Sequence, residues 1–316
     1  MTTNKKPSKF GAITLVFLLA VAGVGLLLIS HAQTPYATAE AEAGTLSGSA
    51  TVESDTNASD GSYVQFGSTT TTTTPAPSDL FDLSEWNLTL PVDSTGGNGG
   101  TVCPGELAAA VITTQQLLAG FTDPYFQINS SGQLIFTDPS DGATTTPCSG
   151  SNHTRSELHE YYTGTNAATN GCWTSAVGGT LQASAVVNVA STGSDEATIG
   201  QIHGNGGAAF TLLKYRPAEQ ELLLSVYTSP ADTASTDTVL LSNVTIGETI
   251  NYSLSFNSSG LITATANGTT VTVTAGSGWD TYPVRFALGA YSAAPNTANP
   301  TGAETQVSFS SFKITH

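Results

Sequence analysis

An all-β fold, whether sandwich, barrel or jelly roll, is the class this sequence predicts, and three observations predict it. Short alternating or β-branched runs recur from residue 80 onward, at 86–92, 181–189, 210–215, 222–227, 250–256, 261–266, 270–274, 285–291 and 305–314. Gly, Asn, Ser and Asp punctuate them, and many short strands separated by turn signals build folds of this class. Helical patterning is confined to 105–120, around Glu106-Leu107-Ala108-Ala109-Ala110. The Gly-rich His203-Gly204-Asn205-Gly206-Gly207 reads as a turn between strands, since no Walker pattern and no strand-to-helix GxGxxG accompanies it.

Charge narrows the function. The 316 residues carry a formal net charge of -16 with only 10% charged residues, against a usual ~25%. A charged coiled coil and a solvated acidic tail do not fit, and a nucleic-acid binder would present basic surface to phosphates. Lys5, Lys6 and Lys9 precede the first acid, Glu40, so five bases face all 24 acids downstream: Arg155, Lys214, Arg216, Arg285 and Lys313.

The elements follow in order. Residues 10–30 are uncharged and apolar, longer than the roughly 7–15 residues of a signal-peptide core and close to the ~20 that span a bilayer. Lysines ahead of the run keep the N-terminus cytoplasmic, so the remainder is exported. Segment 1–38 is therefore expected to be an N-terminal hydrophobic helix, either a retained anchor or a signal cleaved near Ala37-Thr38-Ala39. The protein is expected outside the cell, secreted or tethered to the outer membrane face, with membrane contact only through this segment. Export puts Cys103, Cys148 and Cys172 in an oxidising compartment, where one bridge in any of three pairings, or none, is open.

Residues 39–68 resemble the opening of β-sandwich carbohydrate-binding modules, with an E-A-E strand and a G-x-Y-V-x-F strand. A two-stranded piece cannot bury a core, so the segment is expected to be a short β-rich fragment without assigned sugar binding. Residues 69–78, Thr-rich and then Pro-rich, read as an extended linker. The catalytic candidate is 79–316, long enough for a sizeable core.

Its chemistry lies on three strands. Alternation places Arg155, Glu157 and His159 on one face of Arg155-Ser156-Glu157-Leu158-His159-Glu160, and Gln201 and His203 on one face of Gln201-Ile202-His203. In 285–291, Phe286, Leu288 and Ala290 form an apolar face with Arg285 and Tyr291 on the reverse. If the apolar sides fill the core, the polar sides line a concave face and give a groove for an extended polar ligand.

These segments, together with Trp86-Asn87-Leu88-Thr89-Leu90-Pro91 and Gly142-Ala143-Thr144, resemble polysaccharide lyase family 7, the alginate lyases, over about 80–316. The resemblance implies a jelly-roll sandwich with a concave substrate groove and metal-independent β-elimination of a 4-linked uronate, with no cofactor. It carries Arg155, Gln201, His203 and Tyr291 over as the catalytic set. Arg155 and the Gln201 amide would neutralise the uronate carboxylate. Tyr291 would be the acid and, in syn elimination, the base as well; His203 would be the base in anti elimination. Glu157 is expected to orient Arg155 or a sugar hydroxyl.

Two positions depart from the family pattern: His159 stands where an arginine is usual and Ala287 where a lysine is usual. Lys214, Arg216 and Arg285 are candidates to replace that charge. Lys214 and Arg216 share a strand face with Phe210 and Leu212 by simple alternation. The substrate-binding set is thus Glu157, His159, Lys214, Arg216 and Arg285. Within the family a Q-I-H segment tends to accompany guluronate-containing substrates.

The expected partner is an acidic polysaccharide, and the expected state a monomer. The rivals are a lyase for glucuronan or another polyuronate, a non-catalytic carbohydrate-binding protein, and a glycoside hydrolase. A hydrolase needs two carboxylates flanking one bond, whereas Glu157 and Glu160 face opposite sides. No G-x-S-x-G marks a nucleophile, and His153, His159 and His203 lack the spacing of a metal site.

Overall fold

The computed structural model describes residues 43–46, 50–58, 60–65, 74–94, 108–139, 142–146, 151–190, 196–292 and 304–316. The leader at 10–30, Cys103 and Cys148 lie outside the described residues. Among those described, no helix is long and apolar enough to cross a membrane, and Cys172 is a buried free thiol. The chain divides into two units, 1–72 and 73–316.

In the first unit β1 (Thr51–Ser54) pairs antiparallel with β2 (Ser62–Gln65), Thr51 opposite Gln65 and Ser54 opposite Ser62. Val52 and Tyr63 remain 47% and 42% exposed, as expected of a hairpin with too little apolar surface for a core of its own.

The second unit is a sandwich of two antiparallel sheets. The larger contains β3 (Trp86–Asp93), β4 (Ala109–Ile112), β7 (Thr144–Thr146), β8 (Ser151–Glu160), β10 (Ala197–Gly204), β11 (Ala209–Arg216), β12 (Glu221–Tyr227), β13 (Ser235–Ser242) and β17 (Val284–Ser292). Its order is β13-β12-β11-β10-β17-β8-β3-β4, with β7 paired to β8. The smaller contains β5 (Phe126–Ile128), β6 (Leu134–Pro139), β9 (Gly179–Val189), β14 (Thr249–Phe256), β15 (Leu261–Ala266), β16 (Thr269–Thr274) and β18 (Glu304–Thr315). Its order is β16-β15-β14-β9-β18-β6-β5. All nine runs read from the sequence are strands. The helical expectation at 105–120 is corrected over Ala109–Ile112, which forms β4 because it can complete a ladder against Leu88–Leu90. Residues 105–107 of that stretch lie outside the described residues; among those described, α1 (Thr114–Leu118) is the helical part, started by Thr113, whose side chain accepts the Gln116 N–H.

Alternation puts Phe286, Leu288 and Ala290 of β17, Leu158 of β8 and Ile202 of β10 in the core, all fully buried. They face Phe136, Phe309, Leu181, Leu254 and Phe256 of the smaller sheet. Each fully buried side chain of this size contributes roughly 1.5–3 kcal/mol. β17 approaches β8 closely at Gly289, opposite Glu157. A Cβ there would collide with the Ser156 carbonyl oxygen and the Glu157 backbone, so F-x-x-G-x-Y needs its glycine for strand spacing.

The β8–β17 ladder ends at His159 opposite Ala287, and 171–173 enters between the diverging strands. Tyr162 N–H donates to Gly171 O at 2.8 Å, while Trp173 and Val284 exchange N–H···O bonds of 2.8 and 2.7 Å. The Glu160 carboxylate fills the fork, accepting from Trp173 Nε1 at 2.7 Å and Phe286 N–H at 2.9 Å. His316 Nε2 lies 2.5 Å from its other oxygen and His316 Nδ1 lies 2.6 Å from Gly178 O. Both ring nitrogens thus face acceptors, which suits the doubly protonated imidazolium. Burial works against that charge, but Glu160 and the Gly178 carbonyl prevail and raise the His316 pKa above its ordinary 6.5.

Two outcomes follow from this packing. Gly289→Ala should lower unfolding free energy by about 1–3 kcal/mol, the usual cost of overpacking, read from urea midpoints; a wild-type midpoint would contradict the close approach. A raised histidine pKa gives stability that is complete below pH ~6.5 and lost as pH rises through the folded-state value. The wild-type urea midpoint should therefore fall across neutral and mildly alkaline pH, and His316→Ala should flatten that fall. Parallel profiles in the two proteins would count against the ion pair.

Candidate active site

The groove face of the larger sheet carries a cleft of about 880 Å³ lined by His153, Arg155, His159, Gln201, His203, Arg285 and Tyr291. Asn87, Thr89, Val111, Thr145, Tyr227, Leu212, Ala209, Gly206 and Gly207 complete the lining. Register explains the convergence. Gln201 stands opposite Ala287 and His203 opposite Arg285 across β10–β17, while Ala287 stands opposite His159 and Tyr291 opposite Arg155 across β17–β8. The three motifs therefore lie on adjacent central strands, in the order β10-β17-β8.

Glu157 organises this face from beneath. It is 1% exposed; its Oε2 lies 3.5 Å from Arg155 Nη1 and 3.2 Å from His159 Nε2, and its Oε1 accepts from Gln201 Nε2. Burial would raise the carboxyl, yet His159, Arg155 and the Gln201 amide together hold it at about 2. One buried carboxylate thus aims a guanidinium, an amide and an imidazole at the cleft.

The Arg155 guanidinium lies 4.3 Å from the centroid of the Tyr291 ring, a cation–π contact. Burial raises the Tyr291 pKa although Arg155 opposes it, so the phenol is protonated at neutral pH. Burial also lowers His203, reinforced by His159 and Arg155, to about 3, and its Nδ1 has no hydrogen-bond partner among the described residues. His159 is lowered as well, by burial against the pull of Glu157. Behind Tyr291, Asp138 accepts the Ser292 N–H at 2.9 Å, and burial pushes its carboxyl up to about 8.

Arg155, Gln201, His203 and Tyr291 come together as the sequence predicts, with His159 and Arg285 beside them. Three expectations change. Glu157 is too buried for a sugar hydroxyl, and its oxygens are occupied by Arg155, His159 and Gln201. Lys214 and Arg216 are absent from the cleft lining: Glu196 holds Lys214 at 3.0 Å and Arg216 at 2.9 Å, and Asp237 holds Arg216 at 3.2 Å. Their shared face with Phe210 also fails, because a register shift pairs Ile202 with Thr211 and His203 with Ala209. Phe210 becomes the bulged residue and turns into the core, stacked on Trp279 with centroids 4.1 Å apart. Of the candidate replacement cations, Arg285 alone lines the cleft, with its Nε lacking a hydrogen-bond partner among the described residues.

Sequence reasoning missed His153, Asn87 and Tyr227 as lining residues. His153 was within reach, since it precedes Arg155 by two and shares its face. Asn87 needed the pairing of β3 with β8, which sets it opposite His159, and Tyr227 arrives at the end of β12 with no local signal. Among the described residues no group of His, Cys, Asp and Glu is arranged to hold a metal ion.

An alginate lyase of Klebsiella pneumoniae is 33% identical over 177 residues, covering 48% of this chain and 54% of its own length. The match spans about half the length of that curated relative. Among solved structures, the alginate lyase from Klebsiella pneumoniae has a TM-score of 0.64 at 25% identity, covering 77% of this chain and 99% of its own. Alginate lyase A1-II', a member of polysaccharide lyase family 7, has a TM-score of 0.62 at 22% identity, covering 77% and 99%. An alginate lyase from Pseudomonas aeruginosa gives 0.60 at 23%, covering 74% and 99%. These likenesses establish the jelly-roll sandwich. The family model described as alginate lyase matches residues 81–316, about three quarters of the sequence, and the chain belongs to that family.

Proposed function

We propose that this protein cleaves a 4-linked polyuronate, alginate foremost, by β-elimination outside the cell. The observation that carries the reading is the convergence of Arg155, Gln201, His203 and Tyr291 on one cleft floor. The substrate follows from chemistry and kinship: two guanidiniums, Arg155 and Arg285, suit a polymer with a carboxylate on each ring, and the family's relatives are named alginate lyases. Structures of A1-II' variants hold oligosaccharides described as GGG product and GGMG substrate. Export rests on the uncharged run at 10–30 behind three lysines.

The C5 proton of a uronate is acidic only when the attached carboxylate is neutralised as charge builds. Arg155 supplies a fixed cation, and the Gln201 amide has a second N–H beyond the one given to Glu157. These donors are already oriented by the buried Glu157, so little reorganisation is needed as charge develops. His203 is neutral and can take the proton; the substrate carboxylate, by adding negative charge beside it, raises its basicity. The C5–H electron pair forms the C4–C5 double bond as the C4–O4 bond breaks. Tyr291, protonated at neutral pH, delivers its proton to O4. A neutral imidazole and a protonated phenol favour the anti arrangement over one phenol serving both roles, in keeping with guluronate-containing substrates.

Incubating the purified protein with alginate, its homopolymeric blocks and glucuronan, with EDTA present, should release products absorbing in the ultraviolet through the C4–C5 double bond. Reducing ends without that absorbance would indicate a hydrolase, and binding without turnover a carbohydrate-binding protein; either sinks the lyase reading. Tyr291→Phe should lower kcat by at least about 10²-fold, the scale of a lost general acid, with KM changed only a few-fold because the ring still underlies Arg155. Near-normal turnover would remove Tyr291 from this role.

A further inference from the structure

His153 is a cleft-lining side chain that the elimination chemistry leaves without a task. It lies two residues before Arg155 on β8, so the two side chains leave the same face of the strand. Its ring meets Tyr291 edge-on, with centroids 5.7 Å apart and planes at 90°. On the same phenol, Arg155 sits 4.3 Å from the ring centroid. Tyr291 is thereby bracketed by two neighbours on one strand, a cation and an aromatic edge. Beneath it, the strand is fixed through Ser292, whose N–H is held by Asp138.

We infer that His153 is a positioning residue for Tyr291, restricting the ring torsion that sets where the phenol oxygen meets the glycosidic O4. An edge-on ring contact favours one mutual orientation over others, and so narrows a ring otherwise able to swing about χ1 and χ2. General-acid transfer depends steeply on such placement, since an error of about 1 Å can cost 10²-fold in rate. Removing the His153 ring would open that side of the phenol to the cleft. The remaining groups that bear on Tyr291 are Arg155 and Glu157 on β8, Asp138 on β6 and Tyr227 on β12, all of which stay when His153 is removed.

The inference rests on Tyr291 being the acid, and its test separates the two. His153→Ala in the full chain should lower kcat on alginate about tenfold with KM changed less than threefold, and should move the alkaline limb of the kcat–pH profile to lower pH as water reaches the phenol. His153→Phe keeps an aromatic edge and should restore kcat to within about threefold of wild type. Limb position is independent of how much enzyme is folded. A readout free of turnover is the ring-carbon NMR signal of labelled tyrosine, assigned by its loss in Tyr291→Phe; its titration midpoint should fall in His153→Ala. If wild type makes no unsaturated product, or Tyr291→Phe retains activity, the acid assignment fails. If both hold but His153→Ala keeps the wild-type limb, kcat and titration midpoint, the positioning role is overturned while the lyase reading stands.

Discussion

A carboxylate kept ionised in a nearly dry place is the interaction on which the site depends. Glu157 lies beneath the cleft floor, and three groups aimed into the cleft are tied to it: Arg155, Gln201 and His159. Desolvating a charge costs several kcal/mol, and a buried pair is weak evidence of net stability. What the arrangement supplies is direction. Arginine and glutamine side chains with several rotatable bonds are fixed before substrate arrives, so their ordering cost is met during folding.

Close spacing of strands makes that burial possible. Gly289 lets β17 approach β8 directly opposite Glu157, and Ala287, where the family pattern has lysine, keeps the neighbouring position short. The cleft therefore carries its fixed positive charge at Arg155 and Arg285, with the imidazoles of His159 and His203 between them. On a chain of net charge -16, long-range steering of a polyanion is unfavourable. For the proposed polyuronate, attraction has to be local, which is why the few guanidiniums on the groove face matter more than their number suggests.

Much of this was legible in the sequence because a strand has an exact period of two. Alternation alone placed Arg155 with His159, Gln201 with His203 and Arg285 with Tyr291, and the core faces of β8, β10 and β17 followed. The same rule failed where the backbone inserts a residue: the bulge at Phe210 resets the parity of β11, a shift that no local composition announces. It also could not foresee side-chain partners remote in sequence, so the capture of Lys214 and Arg216 by Glu196 stayed hidden. Within the helical pattern, Ala109–Ile112 yielded to a tertiary choice, since an edge position beside β3 was open to it.

The fork at Glu160 has a consequence of a different kind. Phe286 N–H is held by a side-chain carboxylate where its neighbours on β17 bond to ladder carbonyls. Its exchange with solvent deuterium therefore depends on one rotamer and one proton, while adjacent amides wait for strands to part. The amide sits one residue from Arg285 and at the mouth of the cleft-bearing strands, so it senses loosening of the Trp173 and His316 supports before the sheet itself opens. A single backbone site thus distinguishes local slackening at the end of the cleft from global unfolding.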